Sequence, residues 1–177
     1  DAYNAWIENG KKGIFAMATG SGKTVTALNC LRKQYKENGF YKAIIVVPTQ
    51  ALAIQWKREA EAFNFHNIVS TYTDKDWKEI LNKYITRSLL DQTKNITTYA
   101  TFNRKEFQSF LKKVKGIGTF LYIADEAHNI GSASSLRHLP EMIYWRIGLS
   151  ATPERIYDDH GSELLYNFFN SRPPEYT

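Results

Sequence analysis

Five short runs of this chain gather apolar residues in succession rather than in alternation: GIFAMA from Gly13, KAIIVVP from Lys42, NITTYA from Asn95, TFLYIAD from Thr119 and WRIGLSA from Trp145. A strand half-covered by a core alternates apolar and polar residues. A strand of a parallel sheet, covered by helices on both faces, does not. The segments between the runs have helical length and mix apolar and charged residues at three- and four-residue spacing, over 23–35, 51–63, 76–87 and 102–114. Strand and helix therefore alternate, and the expected fold is a three-layer α/β domain with a mainly parallel central sheet. Ligands of such sheets bind beyond the carboxyl ends of the strands. The sequence places TGSGKT after the first run, PTQ after the second, DEAH after the fourth and SAT at the close of the fifth, so four polar motifs are expected on one rim.

With 177 residues, 43% of them hydrophobic, the chain suits one globular domain. The single cysteine, Cys30, excludes an internal disulfide framework and a cysteine metal cluster. No apolar run approaches the roughly 18 residues that span a bilayer, and DAYNAWIENGKKG at the start has no signal-peptide pattern. The expectation is a cytoplasmic protein, nucleoid-associated if bacterial, with no membrane partner. A net charge of +5 agrees with a nucleic-acid partner, although pairs such as Lys11-Lys12 and Lys57-Arg58 read equally well as solvated helix faces.

TGSGKT resembles a phosphate-binding loop but departs from G-x-x-x-x-G-K-[ST], because Met17 occupies the place of the first glycine. Met17 should lie in the strand, where no left-handed backbone is required. Gly20 and Gly22 let the loop turn tightly and aim its N–H groups at an anion, and the following helix adds its positive end. Lys23 then suits the β- and γ-phosphates, and the Thr24 hydroxyl suits Mg²⁺. In ADEAH, a hydrophobic strand ends in adjacent carboxylates. Asp125 can hold Mg²⁺ while Glu126 orients and deprotonates an attacking water.

ATGSGKT, DEAH and SAT, in this order, resemble motifs I, II and III of the superfamily 2 helicases and translocases. VVPTQALAIQW is similar to motif Ia and ITTYATF to motif Ib. The combination of PTxxLxxQW, TTYxTF and LSATPER is similar to the subgroup of XPB-type helicases and restriction-enzyme motor subunits. The resemblance covers nearly the whole chain. It implies an N-terminal RecA-like lobe over 1–170, with 171–177 opening a linker to a second lobe. It implies ATP and Mg²⁺ as cofactors, with Thr19, Gly20, Ser21, Gly22, Lys23 and Thr24 around the phosphates, and His128, Ser150 and Thr152 coupling the ATP site to a nucleic acid. Thr49, Gln50, Thr98 and Tyr99 would face the nucleic-acid backbone, that of double-stranded DNA in the first instance, each of them equally open to a capping or packing role.

The resemblance also implies groups that this sequence does not contain. A Gln that reads adenine would fall just before residue 1, and there is no Q-x-x-G-R-x-x-R stretch from which a second lobe supplies arginine fingers. The expected activity is ATP hydrolysis coupled to movement on nucleic acid, nearly absent in the lone lobe. The alternatives are a motor lobe of a type I or III restriction enzyme and a nucleotide-dependent interaction module without translocation.

Overall fold

The computed structural model describes residues 2–39, 41–86, 94–114, 116–131, 133–151 and 159–171. In chain order the elements are α1 (Ala2–Glu8), β1 (Lys12–Ala16), α2 (Lys23–Asn38), β2 (Ala43–Val47), α3 (Gln50–Ala62), β3 (Ile68–Ser70) and α4 (Trp77–Thr86). There follow β4 (Lys94–Thr98), α5 (Tyr99–Phe102), α6 (Lys105–Lys113), β5 (Leu121–Ala124), α7 (Ala133–Leu136), β6 (Trp145–Ser150) and α8 (Asp159–Phe169). Among the described residues six strands form one sheet in the order β1-β6-β5-β2-β4-β3, and every pairing is parallel. All carboxyl ends therefore share one rim, as the sequence led us to expect.

The five apolar runs become β1, β2, β4, β5 and β6. Their lack of alternation has a direct cause in the two cores. Ile45, Val47, Leu121, Ile123, Ile147 and Leu149 pack with Trp6, Leu28, Leu31 and Trp56 of α1, α2 and α3. Their strand neighbours Ile44, Val46, Tyr122 and Ala124 pack on the other face with Phe102, Phe107, Phe110 and Phe169. In β2 and β5 successive side chains enter opposite cores, so each position is apolar.

Two elements differ from the expectation. The strand β3 has three residues at a sheet edge, too few to register as a run. The helical pattern from Phe102 to Val114 is broken: Arg104 takes an extended conformation (φ −70°, ψ 145°) as the N-cap of α6, and α5 stands apart before it.

At the far rim, Arg146 is buried at 3% exposure. Its Nε donates to the Ile143 carbonyl at 2.6 Å, Nη1 to that of Phe168 at 2.7 Å and Nη2 to that of Glu141 at 2.9 Å. The guanidinium carbon lies 4.0 Å from the centre of the Phe168 ring. Burial pulls its pKa below the ordinary arginine value, while the Glu141 carboxylate, 3.3 Å away, works the other way.

Gly148 is closely packed beneath the rim. A Cβ there would meet Ile14 Cγ1 at 3.2 Å, Phe169 Cζ at 3.2 Å and Ala127 Cβ at 3.3 Å. Atoms on three sides cannot all retreat, so Gly148→Ala is expected to cost about 1–3 kcal/mol, measured by denaturant unfolding.

Candidate nucleotide site

The loop after β1 answers the question raised by the missing glycine. Met17 continues the sheet, its N–H donating to the Ser150 carbonyl at 3.0 Å, and it is not among the residues with positive φ. The left-handed positions are Gly20 (φ 79°) and Gly22 (φ 88°), where an L side chain would be strained. Gly22 is the N-cap of α2 and brings no side chain to cap it, so the first turn presents its amides and its positive end to the rim. Thr19 and Ser21 are exposed and Thr24 half-buried in the same curl.

The carboxyl end of β5 delivers the acidic pair. Asp125 is buried at 4% exposure and held on both oxygens: Trp56 Nε1 donates to Oδ2 at 2.8 Å, and the Glu126 N–H donates to Oδ1 at 2.9 Å. Burial raises the Asp125 pKa above the ordinary carboxyl value; the bonds from Trp56 and Glu126 oppose the rise, the Glu126 charge adds to it and Lys23 opposes it least. Ionising Asp125 therefore costs the folded state. That cost is absent below the ordinary carboxyl range, grows as the pH rises from there, and is complete once the pH has passed the raised value.

Glu126 has a left-handed backbone, φ 48°, a strained conformation for a residue with a Cβ. Its carbonyl accepts from Asn129 N–H at 2.8 Å at the start of a 3-10 turn, Ala127–Gly131. The turn aims the Glu126 carboxylate at the phosphate loop, where Oε1 meets Lys23 Nζ at 3.0 Å. Its other oxygen lies 3.5 Å from His128 Nδ1, and the same nitrogen lies 3.4 Å from Ser150 Oγ at the end of β6. Lys23, Glu126, His128 and Ser150 thus form one contiguous polar chain across the carboxyl ends of β1, β5 and β6. The structure brings these four expected residues together; Thr152 lies outside the described residues.

Farther along the rim, Thr49 is the N-cap of α3, and its hydroxyl accepts from Leu52 N–H at 3.2 Å. Gln50 is exposed beside it. Thr98 closes β4 and Tyr99 opens α5. Because β5 separates β6 from β2, the phosphate loop and these positions occupy opposite stretches of one rim. Sequence reading gave no role to Trp56. Its signal was present, since a tryptophan on the buried stripe Ala53-Trp56-Ala60 must find a partner for its N–H, but the identity of that partner depends on β2 lying next to β5.

An all-parallel sheet with a glycine-built phosphate loop after its first strand, an acidic pair after a central strand and a serine-bearing strand between them defines a RecA-like ATP-binding lobe of the superfamily 2 helicase and translocase type. Residues 1–155 match the protein family described as type III restriction enzyme, res subunit, and the chain belongs to that family. It is similar to the "DNA 3'-5' translocase XPB2" of Sulfurisphaera tokodaii, 31% identical over 170 residues that make up 94% of this chain and 32% of the relative. The chain spans between 15% and 32% of the length of three such relatives. Among solved structures, a Sulfolobus solfataricus SWI2/SNF2 ATPase core in complex with double-stranded DNA superposes with a TM-score of 0.71 at 22% identity, over 96% of this chain and 34% of that one. A nuclease-deletion mutant of the type ISP restriction-modification enzyme LlaGI, in complex with a DNA substrate mimic, superposes with a TM-score of 0.65 at 24% identity, over 86% of this chain and 17% of that one. At these identities the structural likeness is one of fold.

Proposed function

We propose that this lobe belongs to a motor that couples hydrolysis of Mg-ATP to movement along nucleic acid, double-stranded DNA in the first instance. The observation that carries the reading is the polar chain Lys23-Glu126-His128-Ser150, with the Lys23 ammonium on the Glu126 carboxylate at 3.0 Å. ATP phosphates at the uncapped start of α2 carry more negative charge than one carboxylate and compete for Lys23. Once Lys23 turns to them, Glu126 is available to take a proton from water, and His128 and Ser150 register the change on the adjoining strand. The donor set suits Mg²⁺: the Thr24 hydroxyl and the Asp125 carboxylate are hard oxygens, and such sites take the remaining ligands from phosphate and water. When bound, Mg²⁺ would offset charge on the phosphates.

The helix starts at Thr49–Gln50 and Thr98–Tyr99 suit a phosphodiester backbone, which calls for little sequence preference. DNA is favoured by the name of the translocase relative and by the DNA in both superposed structures, which is double-stranded in the SWI2/SNF2 core. Steady-state ATPase of the full-length protein, with double-stranded DNA, single-stranded DNA and RNA in turn, tests the reading; stimulation by duplex DNA above the others is expected, and an unchanged rate with all three contradicts it. This chain on its own is expected to hydrolyse ATP barely at all, since an arginine finger supplied by a second lobe is worth about 10³–10⁵ in rate. Robust DNA-stimulated turnover by the lone lobe would contradict that expectation.

A further inference from the structure

The contact between Trp56 and Asp125 joins two motifs that lie 69 residues apart and that no sequence pattern links. Trp56 is fully buried in the second turn of α3, and its indole N–H could have met its need with a backbone carbonyl, as that of Trp6 does at Arg146. It donates instead to a carboxylate, at the 2.8 Å of a charge-assisted bond. The second oxygen of that carboxylate is fixed by the next peptide N–H. With one donor on each oxygen, the plane of the Asp125 carboxyl group is set. One donor comes from its own strand end and the other from the helix that begins at Thr49.

We propose that Trp56 is a positioning residue for the metal-bound nucleotide: its N–H holds the Asp125 carboxylate in the orientation from which it meets Mg²⁺. The proposal rests on the ATP-site reading above. Partners that orient a metal ligand without touching the metal commonly matter about 10- to 100-fold in metal affinity. Trp56→Phe keeps an aromatic ring in the core and removes the donor, leaving one end of the carboxylate without this partner.

The test is the affinity of the full-length protein for a fluorescent, non-hydrolysable ATP analogue, measured in EDTA and across a MgCl₂ titration. In Trp56→Phe the Mg²⁺ concentration at half-maximal effect should rise about 10-fold or more, while the affinity in EDTA changes by less than a factor of about two. Replacing Trp56 with benzothienylalanine, which keeps the ring shape and exchanges the N–H for sulfur, should do the same, and it covers the case in which the phenylalanine variant does not fold. In an Asp125→Asn background the Trp56 substitution should produce no further shift. Equal losses with and without Mg²⁺, or a Mg²⁺ midpoint at the wild-type value, would overturn the proposal and leave Trp56 a packing residue. If the unaltered protein binds the analogue in neither buffer, the ATP-site reading itself falls, and this proposal with it.

Discussion

Replacing Glu126 with Gln is expected to lower ATP turnover in the full-length protein by about 10²–10⁴-fold, the range contributed by a positioned general base, and to leave ATP binding intact. The substitution keeps the side-chain volume, and its amide oxygen can still accept from Lys23, now 3.0 Å from Glu126 Oε1. What is lost is the capacity to take a proton. The ion pair itself contributes little to stability, because the Glu126 side chain is 26% exposed and solvent screens such pairs. The melting temperature should therefore stay within a few degrees while turnover collapses. Single-turnover hydrolysis beside equilibrium nucleotide binding separates these effects; undiminished hydrolysis in Glu126→Gln would place the base elsewhere.

Arg146→Ala is expected to have the opposite profile, a loss of about 3–5 kcal/mol in stability, because three carbonyls each lose a hydrogen bond from a charged donor, worth about 1.5–3 kcal/mol apiece. The guanidinium satisfies three carbonyls that belong to two pieces of chain: Glu141 and Ile143 before β6, and Phe168 near the end of α8. Truncation leaves these acceptors without the donor and opens a void beside the Phe168 ring. Arg146→Lys should lose about half as much, since one ammonium cannot span the planar fork. Denaturant unfolding measures both variants. An Arg146→Ala protein as stable as wild type would show that solvent replaces these bonds at no cost. Arg146 sits at the amino end of its strand, on the rim opposite the phosphate loop, and is occupied with structure.

The fold was legible where burial acts on every residue. Strands β2 and β5 lie inside the sheet with both faces covered, so their sequences carry no polar interruption, and the motifs that follow them fall on one rim because the strands are parallel. The phosphate loop was legible for a local reason, since Gly20 and Gly22 adopt backbone angles that other residues avoid. Local pattern could not supply β3, which pairs along one edge over three residues, or the break at Arg104, where apolar spacing continues while the backbone turns extended. Still less could it supply contacts set by strand order. The meeting of Trp56 with Asp125 requires β2 beside β5, and that of His128 with Ser150 requires β5 beside β6. The left-handed backbone of Glu126 likewise left no mark in DEAH, because glutamate is not a residue selected for that conformation.

The central claim is that the rim at β1 and β5 is where Mg-ATP binds, with Lys23 as its principal charge. Equilibrium titration of a fluorescent ATP analogue onto the full-length protein and its Lys23→Ala variant, in Mg²⁺ and at matched stability, tests it most directly. Saturable binding that unlabelled ATP displaces, and that Lys23→Ala abolishes, is the expected result; equal affinity in the two proteins would contradict the account.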